Sequence, residues 1–253
     1  MKAPILAACV ASAFAALGCG ADLDANQSQV DITQFVLPAL STSDREEIVH
    51  RYDFVDPNDE VPRGLLEDAI IFFDVNQVSI PKSDYFVVID LSRFSGEDRF
   101  WIIDLWTGTV EKHKTAHGSG SDPDHDGYAQ LFSNVSGSLM SSLGFYLTGE
   151  IYDGTHIHSM KLDGLMPDGS PNQMANTNAR DRAIVVHEAS YVSETNIGIQ
   201  GRSSGCPALD PTVEVSVVDK IYGGNLLYIA IAELDPPVGR APVSSESTTD
   251  DPP

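Results

Sequence analysis

Apolar positions along this chain fall into three regimes. Residues 3–18 form one short, alanine-rich apolar run behind Lys2. Between Ser43 and Phe73 apolar residues recur at helical spacing. From Tyr85 onward they come in short blocks rich in β-branched and aromatic residues, separated by Gly, Asp and Ser. Ser43-Asp44-Arg45-Glu46 has the spacing of a capping box and predicts a short helix that ends near Tyr52. Pro62 predicts the start of a second helix, with Leu65, Leu66, Ala69, Ile70 and Phe73 on one face. Residues 85–91 and 100–106 flank the turn Ser95-Gly96-Glu97-Asp98 and read as a hairpin. Thr107-Gly108 then turns the chain into a third strand over residues 109–115. Residues 183–189 and 225–233 read as two more strands. Between these two, Asp210-Pro211 is a cap and first-turn pair for a helix striped by Val213, Val217 and Ile221, which Gly223-Gly224 stops. The fold class expected is mainly β, with a few short helices.

The first apolar run is too short for a membrane anchor and reads as an export signal, residues 1–18. It ends in Ala16-Leu17-Gly18-Cys19, which has the form of a bacterial lipobox except that Ala16 stands where Leu is usual. Lipidation is expected at Cys19, with a simple cleavage near Gly18 or Ala21 as the alternative. Residues 19–41 read as a polar tether and 42–234 as one folded domain. Residues 235–253, rich in Pro, Ser and acids, read as a disordered tail. The formal net charge is −22, and the leader holds Lys2 and no acid, so the remainder is more acidic still. That balance excludes nucleic acid and anionic membrane surfaces as partners. Contact with a membrane is expected through a lipid anchor only.

Beyond the leader and the lipidation candidate Cys19, the chain has one cysteine, Cys206, in Gly201-Arg202-Ser203-Ser204-Gly205-Cys206-Pro207-Ala208. An unpaired thiol in an oxidising compartment is either buried and inert or retained for its chemistry. His187 ends the apolar run Ala183-Ile184-Val185-Val186, so a strand can hold an imidazole as general base for the thiol. Residue 207 is Pro and has no N–H, so an oxyanion hole here must draw on the N–H of Cys206, Gly205 or Ser204. Glu188 is a strand neighbour of His187 and points to the other face. A backbone carbonyl or a serine hydroxyl must therefore orient the ring. A non-catalytic binding module would have no need of both Cys206 and His187.

These residues resemble the murein L,D-transpeptidases, in the exported L,D-transpeptidase catalytic domain branch related to the YkuD-type enzymes. The pieces stand in order: Val88-Ile89-Asp90-Leu91-Ser92, Ala116-His117-Gly118-Ser119-Gly120, Phe132-Ser133-Asn134, Ser141-Ser142-Leu143-Gly144-Phe145-Tyr146, Leu162-Asp163-Gly164-Leu165, Ala183-Ile184-Val185-Val186-His187, Tyr191-Val192-Ser193 and the Cys206 segment. The resemblance implies a β-rich sandwich or barrel and a cysteine that attacks the carbonyl of an L-residue in a peptidoglycan stem peptide. D-Ala leaves, and an amine of a second stem or water takes the acyl group. It implies Cys206 as nucleophile, His187 as base and Gly205 as an oxyanion donor. It implies a substrate contact for His156; Arg202 is expected either to pair with a substrate carboxylate or to be a surface arginine, and the aromatic and apolar residues from Leu143 to Tyr146 are expected to wall the site. Ser204 stands where the branch tends to carry an aromatic, and Glu188 where it tends to carry Gly. No cofactor is expected. Asp122-Pro123-Asp124-His125-Asp126-Gly127 has calcium-loop spacing, but Ser133 occupies the position where a full loop has Glu, so no metal is expected.

Overall fold

The computed structural model describes residues 30–232. The leader, Cys19 and the acidic tail lie outside the described residues. Eight strands form one sheet: β1 (Tyr85–Asp90), β2 (Phe100–Asp104), β3 (Val110–His113), β4 (Gly144–Tyr152), β5 (Ser159–Gly164), β6 (Val185–Glu188), β7 (Ala208–Leu209) and β8 (Leu226–Ala230). Their order is β3-β2-β1-β8-β4-β5-β6-β7. The predicted hairpin is present, with Tyr85 opposite Asp104 and Ile89 opposite Phe100. Two of the seven pairings are parallel, β1 with β8 and β6 with β7. The central strands carry unbroken apolar runs because both faces of the sheet are covered.

Helix α1 (Thr42–His50) and helix α2 (Arg63–Asn76) lie on one face. Every residue of the α2 stripe read from the sequence is buried. Phe72 adds what the stripe did not include: its ring stacks at 3.8 Å on Phe145 of β4, which stacks at 4.2 Å on Tyr228 of β8. Phe35 stacks on the far side of Phe72 at 6.4 Å, and Asn76 exchanges hydrogen bonds with the backbone of Val36. Residues 30–41 are thereby laid against the domain. Helix α3 (Glu214–Ile221) packs on β6. Among the described residues no helix is long and apolar enough to cross a membrane.

Several boundaries differ from the sequence reading. Helix α1 is capped by Ser41, whose hydroxyl accepts the Asp44 N–H, and not by Ser43. Three hydroxyl residues precede Asp44, and the one at the right spacing for an extended cap residue takes the role. Pro62 is the cap residue of α2 and not its first helical residue. Asp210 caps a turn at Thr212, and α3 begins only at Glu214. Strands β4, β5 and β7 went unread. Strand β4 is the longest of the sheet and carries a register shift between Thr148 and Ile151, which breaks the period-two pattern.

Candidate active site

The turn that presents Cys206 hangs from two other loops. Ser203 pairs with Gly118 in an isolated bridge: its N–H donates to the His117 carbonyl at 2.9 Å, and its own carbonyl accepts the Ser119 N–H at 2.8 Å. The Ser203 hydroxyl donates to the Cys206 carbonyl at 2.7 Å and accepts the Gly205 N–H at 3.0 Å, which closes the turn on itself. The Ser141 hydroxyl donates to the Gly205 carbonyl at 3.1 Å and accepts the Gly118 N–H at 3.0 Å, tying all three segments together. Gly205 has φ +123, and a Cβ there would stand 2.6 Å from the Met140 carbonyl oxygen. A side chain has neither the conformation nor the room at this position.

Strand β6 places the imidazole. His187 pairs with Ala208 of β7, two residues beyond Cys206, so one short parallel ladder fixes the Cys206 segment beside the His187 strand. The His187 Nδ1–H donates to the Glu188 carbonyl at 2.7 Å, because a carbonyl can only accept. This leaves Nε2 with the lone pair. The ring is oriented by backbone, and the Glu188 side chain is exposed. On its other side the ring stacks on His156 at 4.0 Å between centroids. The Cys206 thiol is 8% exposed and donates to the Ala183 carbonyl at 3.7 Å. Ala183 holds a φ of +53, a left-handed conformation uncommon outside glycine, directly before the strand.

Burial pushes the Cys206 thiol up, opposed by the Val185 N–H and the charge of Arg182. Burial pushes His187 down, opposed by its bond to the Glu188 carbonyl, while His156 lowers it further. Both shifts favour the uncharged pair at rest. A standing thiolate–imidazolium pair is disfavoured by both shifts.

Of the other residues singled out in the sequence, Ser204 is exposed at the apex of the turn. Arg202 is half-buried and donates to the Asp122 carbonyl. His156 is exposed beside the base on the loop between β4 and β5. Tyr146 lies behind the nucleophile, fully buried, with its hydroxyl donating to the Ser142 carbonyl at 2.8 Å. The expected wall from Leu143 to Tyr146 is split by strand alternation. Phe145 faces α2, and Leu143 is buried in the same core. Sequence reasoning missed Arg182 and Tyr152, and named Tyr191 only as part of Tyr191-Val192-Ser193. The charge of Cys206 bears on both phenols, and burial followed by that charge pushes Tyr191 up to about 12. The signal for Arg182 was present: Asn178-Ala179-Arg180-Asp181-Arg182 sets two arginines just before the histidine strand of a strongly acidic chain.

The loop with calcium-like spacing also supports its neighbours. The carboxylates of Asp122, Asp124 and Asp126 come within 4.8 Å of one another. Asp122, however, is fully buried and accepts the N–H groups of Asp126 and Gly127 and the Nε2–H of His117. His117 Nδ1 accepts from the fully buried Arg99 at 2.9 Å. Burial, with Arg99 beside it, holds His117 down at about 4, so it stays neutral and supports the loop that carries Ser203.

A family model described as "L,D-transpeptidase catalytic domain" matches residues 57–230. No curated protein sequence matches the chain. Among solved structures, an L,D-transpeptidase from Mycobacterium smegmatis is similar at 12% identity and a TM-score of 0.35, covering 58% of each chain. The L,D-transpeptidase LdtMt1 in complex with imipenem is similar at 13% identity and a TM-score of 0.34, covering 58% of this chain and 59% of that one. The L,D-transpeptidase segment 123–326 from Xylanimonas cellulosilytica is similar at 13% and 0.32, covering 62% and 66%. The chain thus spans less than two thirds of the length of each of these structures.

Proposed function

The chain belongs to the L,D-transpeptidase catalytic domain family, a family of enzymes, and from that premise we propose that it is an exported cysteine acyltransferase acting on peptidoglycan stem peptides. Cys206 Sγ attacks the carbonyl carbon of an L-residue in the donor stem, and its proton passes to His187 Nε2. The tetrahedral oxyanion is met by N–H groups of the 204–206 turn. Gly205 N–H is bound to the Ser203 hydroxyl at rest, so it joins only if that bond is exchanged for the oxyanion. The carbon–nitrogen bond to D-Ala breaks, the imidazolium returns the proton to the leaving amine, and a thioester remains. The side-chain amine of a second stem then attacks the thioester, giving a 3→3 cross-link and the free thiol. The observation that supports this reading best is the β6–β7 ladder, which sets His187 two residues along from the nucleophile on an adjacent strand.

Hydrolysis by the same pair is the second reading, an L,D-carboxypeptidase. Ser204 is exposed at the turn apex and Phe145 faces away from the site, and both open a route for water. Purified mature protein incubated with defined tetrapeptide stems separates the two by mass spectrometry. Dimers with loss of D-Ala support transfer. Tripeptide and free D-Ala without dimer replace it by hydrolysis. No product from wild type overturns both readings and leaves a wall-binding lipoprotein, whereas undiminished product from Cys206→Ala overturns Cys206 as the nucleophile.

The placement proposed for the protein is periplasmic, tethered by a lipid on Cys19, and Gly20 after the cysteine favours the outer membrane. Cys19→Ala should release the protein from the membrane fraction. A mature N-terminus at Ala21 or later with no lipid mass would overturn the anchor.

A further inference from the structure

Arg182 stands out by what it lacks. Arg180, two residues earlier, is neutralised by Asp163 and Glu150. The Arg182 guanidinium, half-buried, donates to carbonyls and hydroxyls: the Ser133 carbonyl at 2.8 Å, the Met140 carbonyl, the Ser142 hydroxyl at 3.3 Å and the Ser138 hydroxyl at 3.5 Å. Among the described residues no carboxylate pairs with it. In a chain of formal charge −22, a partly buried cation without a counter-ion is costly unless something else uses the charge.

Its place indicates what that is. One guanidinium nitrogen stands 3.2 Å from where a Cβ would lie on Gly205, so the cation backs directly onto the nucleophile turn. The Met140 carbonyl that it holds is also the atom that stands 2.6 Å from that position. The carbonyls and hydroxyls that accept from Arg182 are neutral, and a thiolate at Cys206 is a negative charge that would interact favourably with it. Resting on the reading of Cys206 as nucleophile, we infer that Arg182 is a positioning residue. It clamps the 133–142 loop against the Gly205–Cys206 turn and leaves its positive charge facing Sγ, so that the thiolate is stabilised as it forms.

The other titratable groups around the Cys206 turn fit this division of labour. His187 takes the proton but is held neutral by burial and by His156. Tyr146, Tyr152 and Tyr191 are phenols whose acidity burial suppresses, so none supplies a charge. Arg182 alone among these groups is permanently cationic, and its charge and that of Cys206 favour one another.

The test is the pH profile of Cys206 alkylation by iodoacetamide in purified mature protein, read by intact mass. Arg182→Gln should raise the midpoint by about 1 unit or more, and so slow labelling at pH 7 by about tenfold. Arg182→Lys should stay within about 0.3 units of wild type. An unchanged midpoint in folded Arg182→Gln overturns the inference, as does an equal shift in the Gln and Lys variants. Should the Gln variant not fold, the Lys variant decides: a midpoint near wild type supports the charge, and one raised by a full unit refutes it. Wild-type protein whose Cys206 is not labelled at any pH would instead overturn the nucleophile reading itself.

Discussion

Glu214 should make the protein less stable as pH rises through neutrality, and Glu214→Gln should remove that loss. Its side chain is 1% exposed, and Oε1 has no hydrogen-bond partner. Burial raises its pKa to about 7 from an ordinary 4.5, with Glu188 and Asp219 adding to the effect and His158 opposing it. Between those two values the folded protein keeps a proton that the unfolded chain releases. Stability contributed by the protonated form is therefore complete below about pH 4.5, falls as pH rises to 7, and is flat beyond. A shift of this size corresponds to about 3 kcal/mol at 1.36 kcal/mol per unit. Glutamine mimics the protonated acid at all pH values. Urea unfolding followed by fluorescence of the buried Trp101 should show the two proteins within about 0.5 kcal/mol of each other at pH 4. At pH 8 the variant should be ahead by about 3 kcal/mol, or roughly 6–12 °C in Tm for a domain of this size. Titrations elsewhere are common to both proteins and cancel in the difference. A difference that does not change with pH, or a variant weaker than wild type at pH 8, would refute the reasoning.

Three further outcomes follow from packing and charge. Arg180→Met removes the bidentate partner of Asp163, which is 3% exposed and bonded at 2.7 Å through both oxygens; a buried charge left alone should cost about 3–5 kcal/mol in urea unfolding, largely recovered by adding Asp163→Asn. Phe72→Ala empties the centre of the aromatic stack between α2 and the sheet; it should lose about 3–5 kcal/mol while leaving the alkylation rate of Cys206 in the folded protein unchanged, since the ring lies on the helix face. Gly205→Ala forces a Cβ to 2.6 Å from the Met140 carbonyl at a φ of +123; it should destabilise by more than about 1 kcal/mol and slow Cys206 alkylation, and unaltered values of both would refute the tight turn.

The parts legible in the sequence were those set by local spacing. The α2 stripe, the β1–β2 hairpin and β8 follow from periodicity and turn residues within about a dozen positions. Cys206 and His187 were legible because a solitary thiol and a strand-end imidazole are conspicuous by type. What escaped depends on contacts between distant segments. Strand β4 reads as an apolar run whose later half is irregular, because its pairing with β5 shifts at Thr148. Strand β7 is two residues long and exists only because β6 lies beside it. Asp122 carries a metal-loop spacing, yet its carboxylate serves His117 and two N–H groups of its own turn. Arg182 was not singled out at all; its bonds to the Ser133 and Met140 carbonyls exist only once the 133–142 loop folds back over it.

The molecule keeps its paired charges away from its nucleophile. Arg180 with Asp163 and Glu150 braces β4, β5 and the approach to β6, and the bonds run from carboxylate to guanidinium. Arg99, His117 and Asp122 brace the loop beneath Ser203 with a neutral imidazole between a cation and an anion. At Cys206 itself the fixed partners are a carbonyl and hydroxyl-tied backbone, with one unneutralised guanidinium behind the turn. A carboxylate in that position would cancel the field of Arg182 and raise the cost of forming a thiolate in a site where burial already opposes it. A second cation would instead lower His187 further and weaken the base. A neutral shell with a single positive group satisfies both demands. On the proposed reading, the thiol stays protonated until a carbonyl arrives and then gives its proton to His187 as the carbon–sulfur bond forms.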